Sequence, residues 1–170
     1  MTKARLPWLV LALLGGFVTV KVLGLFEPAM EEHGKLFFFT PLIAAMAGNV
    51  GVQSSAIIVQ GLANNSLSGS LFNRLVKEVL LSLLNGVILA IILFLGSHFL
   101  LNVEFIIGFI VTIALVSVII IASLIGTFIP LLLDKFGIDP ALATGPFITT
   151  SNDICGILIY FSIAKIILGF

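Results

Sequence analysis

Residues 141–168 read ALATGPFITTSNDICGILIYFSIAKIIL, an apolar run interrupted in its middle by one acid, Asp153. About 20 predominantly apolar residues suffice for a helix to cross a bilayer, and this stretch exceeds that length. As a helix it carries Asp153 after about 12 residues, roughly 18 Å from one end and near the membrane midplane. A carboxylate at that depth costs on the order of 3 kcal/mol or more, so an acid kept there is first read as a functional residue. The chain has 8 acidic residues. The other acids fall in short connections or toward helix ends.

Composition extends the membrane reading to the whole chain. Of 170 residues, 60% are hydrophobic and 9% charged, with a mean hydropathy of +1.30. Soluble domains are about 25% charged, and a domain this small could not bury so much apolar surface in water. Lys plus Arg equals Asp plus Glu, 8 against 8, so no basic excess points to nucleic acid. The single cysteine, Cys155, lies within the last apolar stretch, which excludes a disulfide or a thiolate metal site within one chain.

Four further apolar segments precede the last. The spacing predicts membrane helices over about 6–26, 36–62, 76–101, 105–133 and 141–168, joined by short polar connections. The segments lack the alternation of a transmembrane barrel. The expected fold is therefore all-α, an integral bundle of five transmembrane helices in one domain over residues 1–170, embedded in the lipid bilayer. Residues 6–26 read as a retained first helix rather than a signal peptide, since the run is long and lacks a clear small-x-small cleavage site. With the N-terminus inside, Lys3, Arg5, Arg74, Lys77 and Lys135 fall inside. Lys35 falls outside, joined at most by Lys21 and Lys165 at the outer ends of spans. The positive-inside rule gives N-in and C-out.

The second and fifth segments carry the polar positions. Asn49, Gln53 and Gln60 share one helix face at i, i+4 and i+11, and Thr149, Asp153, Gly156 and Tyr160 repeat that pattern at i, i+4, i+7 and i+11. Segments three and four hold mostly Leu, Ile and Val with scattered small polar residues. Both polar segments open with proline: Pro41, Ile43 and Gly51 match Pro146, Ile148 and Gly156 at a constant offset of 105 positions. With the N-in topology this pair runs in opposite directions, the arrangement of an inverted repeat around a midplane site. Gly48 and Gly145, beside Asn49 and Pro146, are read as lining a polar path. Gly51, Gly61 and Gly156 are read first as letting helices pack closely.

No lysine or arginine lies at the depth of Asp153; Lys165 is 12 residues on, about 18 Å along the helix. One reading leaves Asp153 structural, bonded to Asn, Gln or Thr of segment two. The other gives it a solute cation or a proton. The oxygen-only donor set suits a hard cation such as Mg²⁺, Ca²⁺ or Na⁺ rather than zinc or copper. A lone carboxylate suits a Mg²⁺ that keeps most of its water. An intramembrane enzyme finds no support, because there is one deep acid and no nucleophile–base motif. A non-transporting accessory membrane subunit, with Asp153 serving assembly, is the third class.

Two long motifs carry a family resemblance. The pattern P-x₆-G-N-x-G-x-Q is met by Pro41, Gly48, Asn49, Gly51 and Gln53. The pattern D-P-A-x₃-G-P-F…D-x-x-G-x-x-I-Y-F is met by Asp139, Pro140, Ala141, Gly145, Pro146, Phe147, Asp153, Gly156, Ile159, Tyr160 and Phe161. In these, and in its five spans, the chain resembles the membrane domain of the MgtE family of magnesium transporters and channels, to which the animal solute-carrier magnesium transporters are related. The resemblance implies a homodimer in the plasma or inner membrane with a pore on its two-fold axis, lined by helices two and five of both subunits. It implies Mg²⁺ as the transported ion, held hydrated by Asp153 of both subunits, with Asn49, Gln53, Thr149, Gly48 and Gly156 around the ion or its water. Bacterial members also carry an N-terminal cytosolic domain and CBS domains, for which residues 1–170 hold no counterpart. Transport by a channel and exchange coupled to Na⁺ or H⁺ both remain open at this level.

Overall fold

The computed structural model describes residues 2–67 and 69–169. Six α-helices and one 3₁₀ helix follow in order: α1 (Thr2–Gly24), α2 (Glu27–Glu32), the 3₁₀ helix (Gly34–Phe39), α3 (Thr40–Ala63), α4 (Leu71–Phe99), α5 (Phe105–Lys135) and α6 (Pro140–Leu168). Five of these stretches are long and apolar enough to cross a membrane, beginning at Arg5, Gly34, Leu71, Phe105 and Gly145. The five expected spans are all present. Their limits shift where local chemistry decides. Segment three starts earlier than hydropathy alone suggests, because the Ser70 hydroxyl caps α4 by accepting from the Asn73 N–H at 3.3 Å. Segment two starts later as an α-helix, because Pro41 suits the first turn of α3 while Gly34–Phe39 winds more tightly before it. Helix α5 stops at Gly137, whose φ of +70° is open to glycine at little cost. There the Ile138 N–H reaches back to the Leu133 carbonyl at 3.0 Å.

Helix α5 is the hub, with α3, α4 and α6 packed around it; α3 also packs on α6, and α1 packs mainly on α6. Its burial explains its composition: Ile110, Val111, Ala114, Val118, Ile119 and Ala122 are all at most 1% exposed, the pattern of a helix apolar all round. Two small-residue seams let neighbours approach. Gly126 of α5 lies directly against the backbone of Gly51 on α3, and Gly86 of α4 sits over Val116 and Ile119. The Ser82 and Ser123 hydroxyls join α4 to α5. The segment before α3 folds over one end of α6. Phe26 and Phe37 pack on Phe161 at ring separations of 5.0 and 4.7 Å, and the Tyr160 hydroxyl donates to the Leu36 carbonyl at 2.8 Å. The exposed leucines, isoleucines and phenylalanines of α1 and α4 are the surface a bilayer covers.

Candidate functional site

The Asp139 carboxylate caps α6 by accepting from the Ala141 N–H at 2.9 Å, and Pro140 occupies the first turn. That start sets the phase of the helix, so Thr149 and Asp153 fall on one face facing α3. The Thr149 hydroxyl turns back on its own helix, donating to the carbonyls of Gly145 and Pro146 at 3.1 and 3.2 Å. On α3, Asn49 and Gln53 are exposed one turn apart, and Gly48 has open space where a side chain would stand. These pieces enclose a cleft of about 430 Å³ lined by Ala44, Ala45, Gly48, Asn49, Val52, Gln53, Thr149 and Asp153. Asp153 has 13 residues of α6 before it (140–152) and 15 after (154–168), so the cleft lies near the middle of this helix.

Five of the six residues expected at the site, Asp153, Asn49, Gln53, Thr149 and Gly48, therefore meet in one cleft. Gly156 does not. It is buried, and a side chain there would meet Ala47, Val118 and Ile43. Tyr160, expected on the same face, is buried under the Gly34–Phe39 segment. The reason is physical: a helix face read from spacing ignores what covers its far half, where α3 and α5 enclose Gly156 and the 3₁₀ helix covers Tyr160. Gln60 is exposed but outside the cleft.

The carboxylate of Asp153 is half-buried and has no hydrogen bond or ion pair among the described residues. Its neighbour Asn152 behaves oppositely. It is 1% exposed, and its amide donates to the Ala47 carbonyl on α3 at 3.1 Å. The polar pin between the two helices is thus Asn152, which the sequence reading passed over in favour of the charge beside it. The signal that marks it is its register: Ala47 and Asn152 stand at the same offset, 105, that relates Pro41 to Pro146. The contacts around the pin follow that register. A side chain at Gly51 would meet Ile148 and Asn152, and one at Gly156 would meet Ile43 and Ala47. Positions rise on α3 as they fall on α6, so the two helices cross antiparallel, with reciprocal contacts about the crossing. This is the geometry an inverted pair requires.

Asn85 also escaped the sequence reading. It is exposed on α4 and lines a second cavity of about 440 Å³ with Asn49 and Gln53, on the flank of α3 away from Asp153. Among the described residues no three His, Cys, Asp or Glu side chains cluster tightly enough to hold a metal directly. The cleft offers one carboxylate and several neutral oxygens, a set that suits an ion retaining its water.

The fold and the cleft define a multi-pass α-helical membrane protein with an acid and amides at mid-span. A family profile described as MgtE, divalent cation transporter, matches residues 40–163, which take in both cleft-forming helices. The chain belongs to the MgtE family. It is similar to proteins named magnesium transporter MgtE from three bacteria. The Bacillus subtilis protein is 37% identical over 161 residues, 94% of this chain and 36% of that protein. The Enterococcus faecalis protein is 40% identical over 171 residues, 98% and 37% respectively. The Thermus thermophilus protein is 36% identical over 171 residues, 97% and 36%. The chain thus spans about a third of the length of the curated relatives it matches.

Proposed function

We propose that this chain conducts Mg²⁺ across the bilayer, with Asp153 as the charged station for a hydrated ion. One observation carries the reading: an acid at mid-span, unpartnered among the described residues, opens into a cleft whose other polar groups are neutral oxygen donors. An assembly role asks Asp153 to bond a neighbouring helix, yet Asn152 makes that bond. Asn49, Gln53, Thr149 and Gly48 line the same cleft and would receive the water carried by the ion, because cation-bound water donates hydrogen bonds and amide, hydroxyl and carbonyl oxygens accept them. The curated relatives, named as magnesium transporters, support Mg²⁺ as cargo.

In this reading the chain forms a single membrane unit, N-in and C-out, and works as a homodimer. The open side of the cleft then faces a second copy across a two-fold axis, and two Asp153 carboxylates flank one path. Their repulsion, strong at low dielectric, is relieved when a divalent cation lies between them. The test is Mg²⁺ flux through liposomes containing the purified chain, with and without Na⁺ or H⁺ gradients. Flux that is lost in Asp153→Ala and indifferent to those gradients supports a conducting pore. Dependence on a gradient replaces it with coupled exchange, and absence of flux from a well-folded chain removes the reading.

A further inference from the structure

Asn85 stands at the centre of α4, with 14 residues of the helix on each side (71–84 and 86–99). Around it the exposed positions are Leu81, Leu84, Ile88 and Ile92, the side chains that lipid accepts. An amide facing hydrocarbon leaves its donors and acceptor unsatisfied, so this surface of α4 meets water, an ion or protein. Helices α3 and α4 both lean on α5 but barely on each other, which leaves a groove between them. Its walls are Asn49, Val50 and Gln53 on one side and Asn85, Ile88 and Leu89 on the other. The Ser54 hydroxyl donates to the Glu78 carboxylate at 2.6 Å, tying α3 to α4 two turns nearer the start of α4.

We propose that this groove is a second station for the hydrated divalent cation, with Asn85 as its far wall and Asn49 and Gln53 shared with the Asp153 cleft. The inference rests on the cation-transport reading and adds a third helix to the path. Three observations carry it. The cavities on the two flanks of α3 have Asn49 and Gln53 in common, so an ion leaving Asp153 meets the same two amides from either side. The groove offers amide oxygens, which accept from the outward-pointing hydrogens of cation-bound water, and no carboxylate of its own lining to strip that water. Its volume, about 440 Å³, exceeds the roughly 180 Å³ of six waters taken at their share of the liquid.

The test uses the full chain in liposomes. Cys155 is the only cysteine, so Cys155→Ala gives a background in which Asn85→Cys carries the sole thiol. A charged, water-soluble methanethiosulfonate reagent is applied with Mg²⁺ or with a monovalent salt at matched ionic strength. The inference expects labelling that Mg²⁺ slows several-fold. Absence of labelling means lipid or protein covers Asn85 and overturns it, as does labelling that Mg²⁺ leaves unchanged. A second arm measures flux. Asn85→Leu should weaken the apparent Mg²⁺ affinity about tenfold, the factor carried by one lost hydrogen bond to a charged group, while Asp153→Asn abolishes flux. Flux surviving in Asp153→Asn defeats Asp153 as the charged station, and absence of flux from the well-folded parent chain defeats the transport reading itself. Flux lost in Asp153→Asn but unaltered in Asn85→Leu defeats only the second station. A change in oligomeric state in Asn85→Leu, with Mg²⁺ affinity unaltered, assigns the groove to a second copy of the chain and also defeats it.

Discussion

The Asn152 amide donates to the Ala47 carbonyl at 3.1 Å across the crossing of α3 and α6, while Asp153, the next residue, bonds nothing among the described residues. Successive helical residues point about 100° apart. One side chain is therefore turned into the helix contact and the other into the cleft, and structural and functional polarity are separated. Asn152→Ala should lower stability by about 1 kcal/mol, the scale of interhelical hydrogen bonds in membranes. Asp153→Asn should not lower stability, because it breaks no bond among the described residues and removes a charge that is costly at this depth. Unfolding in detergent checks both, and the opposite ranking would reverse the two roles.

The same crossing sets a steric prediction. A methyl at Gly51 meets the Asn152 amide and Ile148, whereas a methyl at Gly126 meets the Gly51 backbone carbonyl. Side chains can give way and backbone cannot without separating α3 from α5. Gly51→Ala should cost about 1–3 kcal/mol, as overpacking does, and Gly126→Ala more. Adding Asn152→Ala should recover part of the Gly51→Ala loss and none of the Gly126→Ala loss, as read by a double-mutant cycle.

Gly48 gives the complementary case. Nothing lies within 4 Å of a methyl placed there, yet the residue lines the Asp153 cleft. Gly48→Ala should unfold like the parent and carry less Mg²⁺, because the methyl narrows the space for a hydrated ion. Reduced stability with unchanged flux would assign Gly48 to packing instead.

At one end of the bundle, the Lys35 ammonium lies 2.7 Å from the carboxylate of Glu104, which precedes α5 outside the spans. Its hydrogen bond and charge hold the Glu104 carboxyl below its ordinary value of 4.5, with a smaller contribution from His33. A depressed folded value means the tie stabilises the fold above the ordinary value and is lost as pH falls through the lowered one. The link should persist at neutral pH and open only on acidification below about 4.5. Lys35→Met should return the Glu104 titration toward its ordinary position, observed by carboxyl NMR. An unchanged titration would show that the pair is not formed in solution.

Much of the architecture was legible because membrane spans depend on one-dimensional quantities, run length and charge. The five spans follow from these, and i, i+4 spacing pairs Asn49 with Gln53 and Thr149 with Asp153, while their grouping with Gly48 in one site was what the family resemblance implied. What escaped depends on neighbours in space. Gly156 and Tyr160 share the expected face of α6, but α3 and α5 close over Gly156 and the Gly34–Phe39 segment folds over Tyr160. Asn152 was masked by the more conspicuous Asp153, although its hydrogen bond is what joins α3 to α6. Asn85 looked like a scattered polar residue until the groove beside α3 gave it two amide neighbours.

The central claim is that Asp153 holds the transported ion rather than the fold. The most direct measurement is Mg²⁺ uptake into liposomes by Asp153→Asn, paired with its unfolding curve. The account predicts uptake reduced to that of protein-free liposomes while the variant is at least as stable as the parent. Uptake equal to the parent chain's, from an equally stable variant, would contradict it.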